Sequence, residues 1–219
     1  MTSFIRGYRE FMCAKVEESV EPWAKEYVRP AFDGDPKAAF SLCAALGNEN
    51  RGAVAVVLWR SQVQREAFRR FFASAWDHDH KYVIAAAGTR RSLAAMFRYA
   101  AFPLPDELPE RVRVWRGTSG MTFSQARAGY SWTTSRDVAC WFAMRWAEQT
   151  GRPLVLVAEV SRGDIALFHN ERDEHEAVLL RQPVGVAIDG VAADWLQCFD
   201  RHCEWSRKEN LRDIAGRID

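Results

Sequence analysis

Cysteine is scarce in this chain of 219 residues, with five in all: Cys13, Cys43, Cys140, Cys198 and Cys203. An odd, scattered set excludes a disulfide framework and suits a reducing compartment. Metal-ligand spacing is lacking as well. Cys198 and Cys203 flank His202, and Asp77-His78-Asp79-His80 is a second cluster, but neither has a zinc pattern, so no metal is expected. No apolar run reaches the length of a signal-peptide core or a membrane span. The opening Met-Thr-Ser-Phe-Ile-Arg-Gly-Tyr-Arg is already charged. A soluble, cytoplasmic protein with no membrane partner is expected. Net charge is almost absent at +1, so bulk charge selects no partner. Lysine is rare, five residues against 25 arginines, a bias that phosphate binding or genome composition would equally produce. Internal repeats and low-complexity linkers are missing.

What is present is core material and uneven charge. Hydrophobic residues make up 48% and charged residues 27%, the balance of an ordinary globular chain of one domain or two small ones. Residues 51–100 carry nine Lys and Arg against three Asp and Glu, a net +6. Residues 151–219 carry nine against thirteen, a net −4. The basic half is either a solvated helical face or a surface for phosphates, as in a nucleic acid.

The first half reads as helical. Apolar residues recur at threes and fours between Tyr8 and Val28, and Pro30 is expected to stop that helix. Pro36 opens a second helix, which Gly47 closes. Ala53 to Trp59 is an apolar run too short to assign by period. Arg60 to Trp76 is helical, with Arg65, Arg69 and Arg70 off its apolar side. The Asp-His-Asp-His cluster is expected to break it before helices over Tyr82–Ala87 and Arg91–Ala101. Three prolines between Phe102 and Pro109 form a stiff connection. The second half reads as strands at Val112–Arg116, Tyr130–Thr134, Leu154–Val160, Ile165–Phe168, Ala177–Leu180 and Val184–Ile188. Helices are expected at Thr122–Ala128, Asp137–Glu148 and after Trp195. The fold class is therefore α+β, a helical portion over 1–105 packed on a mixed, β-rich core over 106–219.

Chemistry concentrates in Glu171 to Leu180. On a strand, residues two apart share a face, so Glu174 and Glu176 would project together from the head of the apolar run. Side by side they repel, which suits a site that stabilises a cation and moves a proton better than it suits structure alone. Two further features precede the pair in order. Arg116 ends a strand in Val114-Trp115-Arg116-Gly117-Thr118, and hydroxyls cluster in Tyr130-Ser131-Trp132-Thr133-Thr134-Ser135.

Aromatic-Arg-Gly, a hydroxyl triplet and Glu-x-Glu leading into an apolar strand, in that order, resemble the Arg-Ser-Glu class of mono-ADP-ribosyltransferases of bacterial toxins and bacteriophages. The resemblance covers roughly Arg111 to Ile188 and implies a β-sandwich-like core. It also implies NAD as substrate, nicotinamide as product and transfer of ADP-ribose to a macromolecular acceptor. By this resemblance Glu176 is the catalytic carboxylate beside the ribose, and Glu174 positions or deprotonates the nucleophile. Arg116, with Gly117 beside it, holds the dinucleotide. Thr133 stands where the family has its first serine and orients the glutamate, while Ser135 matches the last. Ser135 is equally an N-cap for the following helix. Trp132 and Phe142 are read as core. Phe168 and His169 fall where the family carries its acceptor loop. Glutamate at 174 points toward arginine side chains as acceptors, although some relatives modify nucleic acid. Such enzymes serve as toxins, phage effectors or defence proteins, which would bring an antitoxin or immunity partner. The alternatives are ADP-ribosylation of RNA or DNA, an NAD glycohydrolase with water as acceptor, and a non-catalytic module binding nucleic acid through residues 51–100.

Overall fold

Helix α1 (Ser3–Ser19) gives way to a short 3-10 turn (Pro22–Ala24) and α2 (Lys25–Asp33). Pro22 sits at the start of that turn, where its missing N–H leaves no bond unmade. One helix through Val28 was expected, so the break comes earlier than Pro30. Pro30 itself lies inside α2, whose end is set instead by Gly34 at φ +104. Gly34 N–H bonds the Ala31 carbonyl and Asp35 N–H bonds that of Pro30, the paired closure of a Schellman motif. The computed structural model describes residues 3–170 and 172–215, so Glu171 lies outside the described residues. The chain divides into two compact units, 1–102 and 103–219.

The first unit continues with α3 (Pro36–Ala45), α4 (Asn48–Arg60), α5 (Arg65–Ala87) and α6 (Arg90–Ala100). The Asp-His-Asp-His cluster interrupts the helix as expected, so that α5 is two helical pieces joined across a kink. It kinks α5 at Asp79 (φ −142°, ψ 33°). The buried Asp79 carboxylate accepts from Arg51 of α4 at 2.6 Å, which holds the kink against the neighbouring helix. Phe72 centres the core, with ring centroids 5.2 Å from Phe68 and 4.8 Å from Phe97. Cations of the basic stretch are used in packing. Arg69 donates to the Ala100 carbonyl and Arg70 lies 4.6 Å over the Phe40 ring.

The second unit runs β1 (Arg111–Thr118), α7 (Phe123–Arg127), β2 (Ser131–Thr133), α8 (Arg136–Met144), α9 (Ala147–Thr150), β3 (Leu154–Ser161), β4 (Ile165–His169), β5 (Glu176–Leu179), β6 (Ala187–Ile188) and α10 (Ala192–Ala215). The strands form one six-stranded sheet in the order β4-β5-β2-β1-β3-β6, with every pairing antiparallel. The α+β expectation holds. Among the described residues the strands of the β-rich core form this one antiparallel sheet. Val112, Val114, Trp132, Leu156, Ala158, Ala177 and Leu179 alternate onto one buried face. The other face takes Ala139, Cys140 and Ala143 of α8 and Trp195 and Cys198 of α10. The helix expected over Asp137–Glu148 is two pieces, α8 and α9. No helix among the described residues is long and apolar enough to cross a membrane.

Burial raises the Cys43 thiol to about 11 and, helped by neighbouring Cys198, the Cys140 thiol to about 12. Both should resist alkylation at neutral pH until the chain unfolds, because the thiolate is the nucleophile. The half-buried Cys203 should react before either. Iodoacetamide labelling with and without denaturant, read by peptide mass spectrometry, checks the order.

Candidate active site

One row of register partners crosses the whole sheet. His169 of β4 faces Glu176 of β5, which faces Thr133 of β2, which faces Trp115 of β1. Val157 and Ala187 complete it on β3 and β6. Register partners share a face, so Glu176 stands between a histidine and a threonine on the side that α8 and α10 cover. Glu176 is 7% exposed at the first position of β5. A carboxylate that deep needs compensation, because burial disfavours its charge.

Part of that compensation comes from Arg116. Burial lowers its guanidinium to about 10, and the charge of Glu176 works in the opposite direction. It is therefore cationic at neutral pH. Strand alternation starts its side chain on the face opposite the Glu176 row. β1 and β2 share a single bridged pair, Trp115 with Thr133. Next to it Arg116 Nη1 donates to the Ser131 carbonyl of β2. The guanidinium lies against Gly129, where an added Cβ would overlap it. Among the described residues, four side-chain polar atoms are buried without a hydrogen-bond partner. Three of them, Trp115 Nε1, Arg116 Nε and Thr118 Oγ1, fall in one run of β1. Buried orphan donors are rare in folded proteins and concentrate where a ligand or water completes the set.

The two glutamates do not share a strand face. β5 begins at Glu176, and His175 before it has φ +47, with Asp173 at φ +53. Two left-handed residues break the alternation on which the expectation rested. The loop is tied down locally: His175 N–H bonds Asn170 Oδ1 at 2.9 Å, and Thr134 N–H bonds the His175 carbonyl at 3.0 Å. Glu174 consequently has its own cations. It pairs with Arg172 at 2.6 Å and also acts on Arg145. Arg145, just beyond α8, lies 4.4 Å over the rings of both Trp141 and Phe142.

Thr133 acts on the backbone of the loop. Its hydroxyl donates to the Glu174 carbonyl at 2.7 Å and accepts from Ser135 N–H at 3.0 Å. It fixes the backbone that carries both glutamates. Ser135 caps α8, accepting from Val138 N–H at 3.4 Å. It also lines a cavity of about 300 Å³ with Asp137, Asp173, His175, Arg201 and His202. The last two come from α10, which the sequence marked only as a helical tail.

Three further site residues have packing roles or strand positions of their own. Gly117 sits where an added Cβ would overlap the Ala139 carbonyl, so it lets α8 lie close on β1. Phe168 lies in a strand, as expected, and β4 runs one residue further to take in His169. Phe168 pairs with Ala177 and packs on the core, whereas His169 is the neighbour of Glu176. Nothing in local periodicity identifies that neighbour, because it depends on cross-strand register. Among the described residues, no group of three or more His, Cys, Asp or Glu is placed to hold a metal ion. No family model, curated protein or solved structure matches the chain.

Proposed function

We propose that the chain is a mono-ADP-ribosyltransferase of the Arg-Ser-Glu type. It would cleave NAD between nicotinamide and ribose and pass ADP-ribose to a macromolecule, a protein arginine first, in the cytoplasm of the producing or a target cell. The observation that carries this reading is the buried Glu176, held opposite Thr133 and within the field of Arg116. Three elements that the sequence sets in order are thereby neighbours across β1, β2 and β5.

The residues present suit NAD. Arg116 offers a desolvated cation with an unpartnered Nε–H, a fit for phosphate or ribose oxygen. Breaking the nicotinamide–ribose bond develops positive charge on the sugar. The Glu176 carboxylate, fixed before the reaction, stabilises that charge, as preorganised groups do in glycoside chemistry. Glu174 lies outside the strand and 26% exposed, in reach of an incoming nucleophile. It is suited to take the proton from that nucleophile.

Labelled NAD and a cell lysate test the reading. Nicotinamide should be released and label should become attached to acceptor. Free ADP-ribose alone would indicate a glycohydrolase. Glu174→Gln should lower transfer by about a hundredfold while release falls less than about tenfold, the range expected for loss of a general base. Equal losses would argue against the division of labour.

A further inference from the structure

Two cysteines and two arginines meet where α10 lies on α8. Cys140 of α8 and Cys198 of α10 are both buried, share one packed cluster and are hydrogen-bonded thiol to thiol. Cys198 Sγ also receives two guanidiniums. Arg136 Nη1 donates to it at 2.7 Å and Arg201 Nη2 at 3.0 Å. Each arginine is steadied by a carboxylate, Arg136 by Asp189 at 2.5 Å and Arg201 by Asp137 at 3.0 Å. A neutral thiol is a weak acceptor and makes poor use of two cationic donors. Sulfur that carries negative charge, or an oxygen on that sulfur, uses both fully. The cluster also has a way in. Arg201 has a side chain 58% exposed and lines the cavity of about 300 Å³, so Cys198 Sγ sits one guanidinium behind an open wall.

We infer that Cys140 and Cys198 are a redox pair: a peroxide oxidises Cys198, and Cys140 then closes a disulfide that joins α8 to α10. This stands apart from the transferase reading. In the first step the Cys198 sulfur attacks one peroxide oxygen. An S–O bond forms, the O–O bond breaks, and the departing hydroxide takes the thiol proton and leaves as water. In the second step the Cys140 sulfur attacks the Cys198 sulfur. The S–S bond forms, the S–O bond breaks, and hydroxide again leaves as water with the Cys140 proton. Two thiols and one peroxide become one disulfide and two waters, the sulfurs oxidised and the peroxide reduced. Arg136 and Arg201 stabilise negative charge on sulfur in the first step and on the departing oxygen in the second. The order of steps follows from the surroundings of Cys140. Burial and the neighbouring Cys198 raise its thiol to about 12, and oxidation of Cys198 removes the second of these causes. Thiol reductants reverse the bridge, as suits the reducing compartment in which transient disulfides sense oxidants.

The full chain is reduced, freed of reductant and treated with hydrogen peroxide, and its peptides are mapped without reduction by mass spectrometry. The expected product is an intramolecular bridge between Cys140 and Cys198, lost again on adding dithiothreitol. Cys198 should oxidise about tenfold faster than the more exposed Cys203, the factor that one charge-assisted hydrogen bond supplies. Cys140→Ser should stop at the sulfenic acid of Cys198, trapped as its dimedone adduct, and Cys198→Ser should leave Cys140 reduced. Where a serine variant fails to fold, as judged by circular dichroism, the map of the unsubstituted chain decides by itself. Bridges through Cys203 or between chains, formed as fast as the expected one, would overturn the inference. So would oxidation of Cys203 while Cys140 and Cys198 remain thiols.

Discussion

Glu176→Gln is expected to lower nicotinamide release by about 10²–10³-fold, the loss seen when one preorganised electrostatic contact is removed. The substitution keeps shape and most hydrogen-bonding capacity and deletes only charge. It acts where charge is most effective, at a position 7% exposed to water. The effect should fall on kcat more than on KM, since the carboxylate matters most when positive charge develops on the sugar. There is a second consequence. The charge of Glu176 opposes the effect of burial on Arg116, so its neutral replacement lowers the Arg116 pKa further. A buried cation stripped of its counter-charge destabilises a fold. Thermal melting, monitored alongside release, must therefore accompany the kinetics, with activity assayed well below the transition. A folded Glu176→Gln protein that releases nicotinamide at near wild-type rate would remove Glu176 from the chemistry.

Several elements of the second unit were legible from local signals. Val112 and Val114 alternate with arginines, and the capping hydroxyl of Ser135 marks the start of α8. Long helices of the first unit were legible in type but not in their ends. Pro30 looks like a terminator, yet α2 runs through it, because tertiary packing of Val28, Ala31 and Phe32 outweighs one missing N–H bond. The break at Asp79 was legible, but its support was not: the partner of the buried carboxylate is Arg51, 28 residues earlier in the chain. For the site, the order Arg116, Thr133, Glu176 was visible in the sequence, but the pairing of Thr133 with Glu176 depends on the β2–β5 register, which no local signal specifies. The placement of His169 beside Glu176 follows from the β4–β5 register alone. The loop conformation was hidden too. Nothing about aspartate or histidine demands φ near +50; Asn170 and Thr133 impose it by capturing backbone groups.

Gly129→Ala should disable the site without replacing any residue that the chemistry names. Gly129 does not need a left-handed backbone, so alanine meets no conformational penalty of its own. The obstacle is space. A Cβ at 129 would overlap Cζ, Nη2 and Nε of Arg116. The backbone cannot yield, since Gly129 N–H bonds the Ala126 carbonyl at 3.1 Å and its own carbonyl accepts from Trp132 Nε1 at 3.1 Å. The arginine must move instead, losing its bond to Ser131 and its place near Glu176. Overpacking of this kind costs about 1–3 kcal/mol of stability. On the transferase reading, loss of a charge-assisted contact should weaken NAD binding by about tenfold to a hundredfold. Urea denaturation measures the first effect and titration calorimetry the second. The decisive comparison is with Arg116→Ala. If the new methyl acts only through Arg116, adding Gly129→Ala to Arg116→Ala should change little, because the space it needs has been vacated. Additive losses in the double variant would show that Gly129 supports the turn between α7 and β2 for its own sake. The position of Arg116 would then have to be explained by the Ser131 carbonyl and the charge of Glu176 alone.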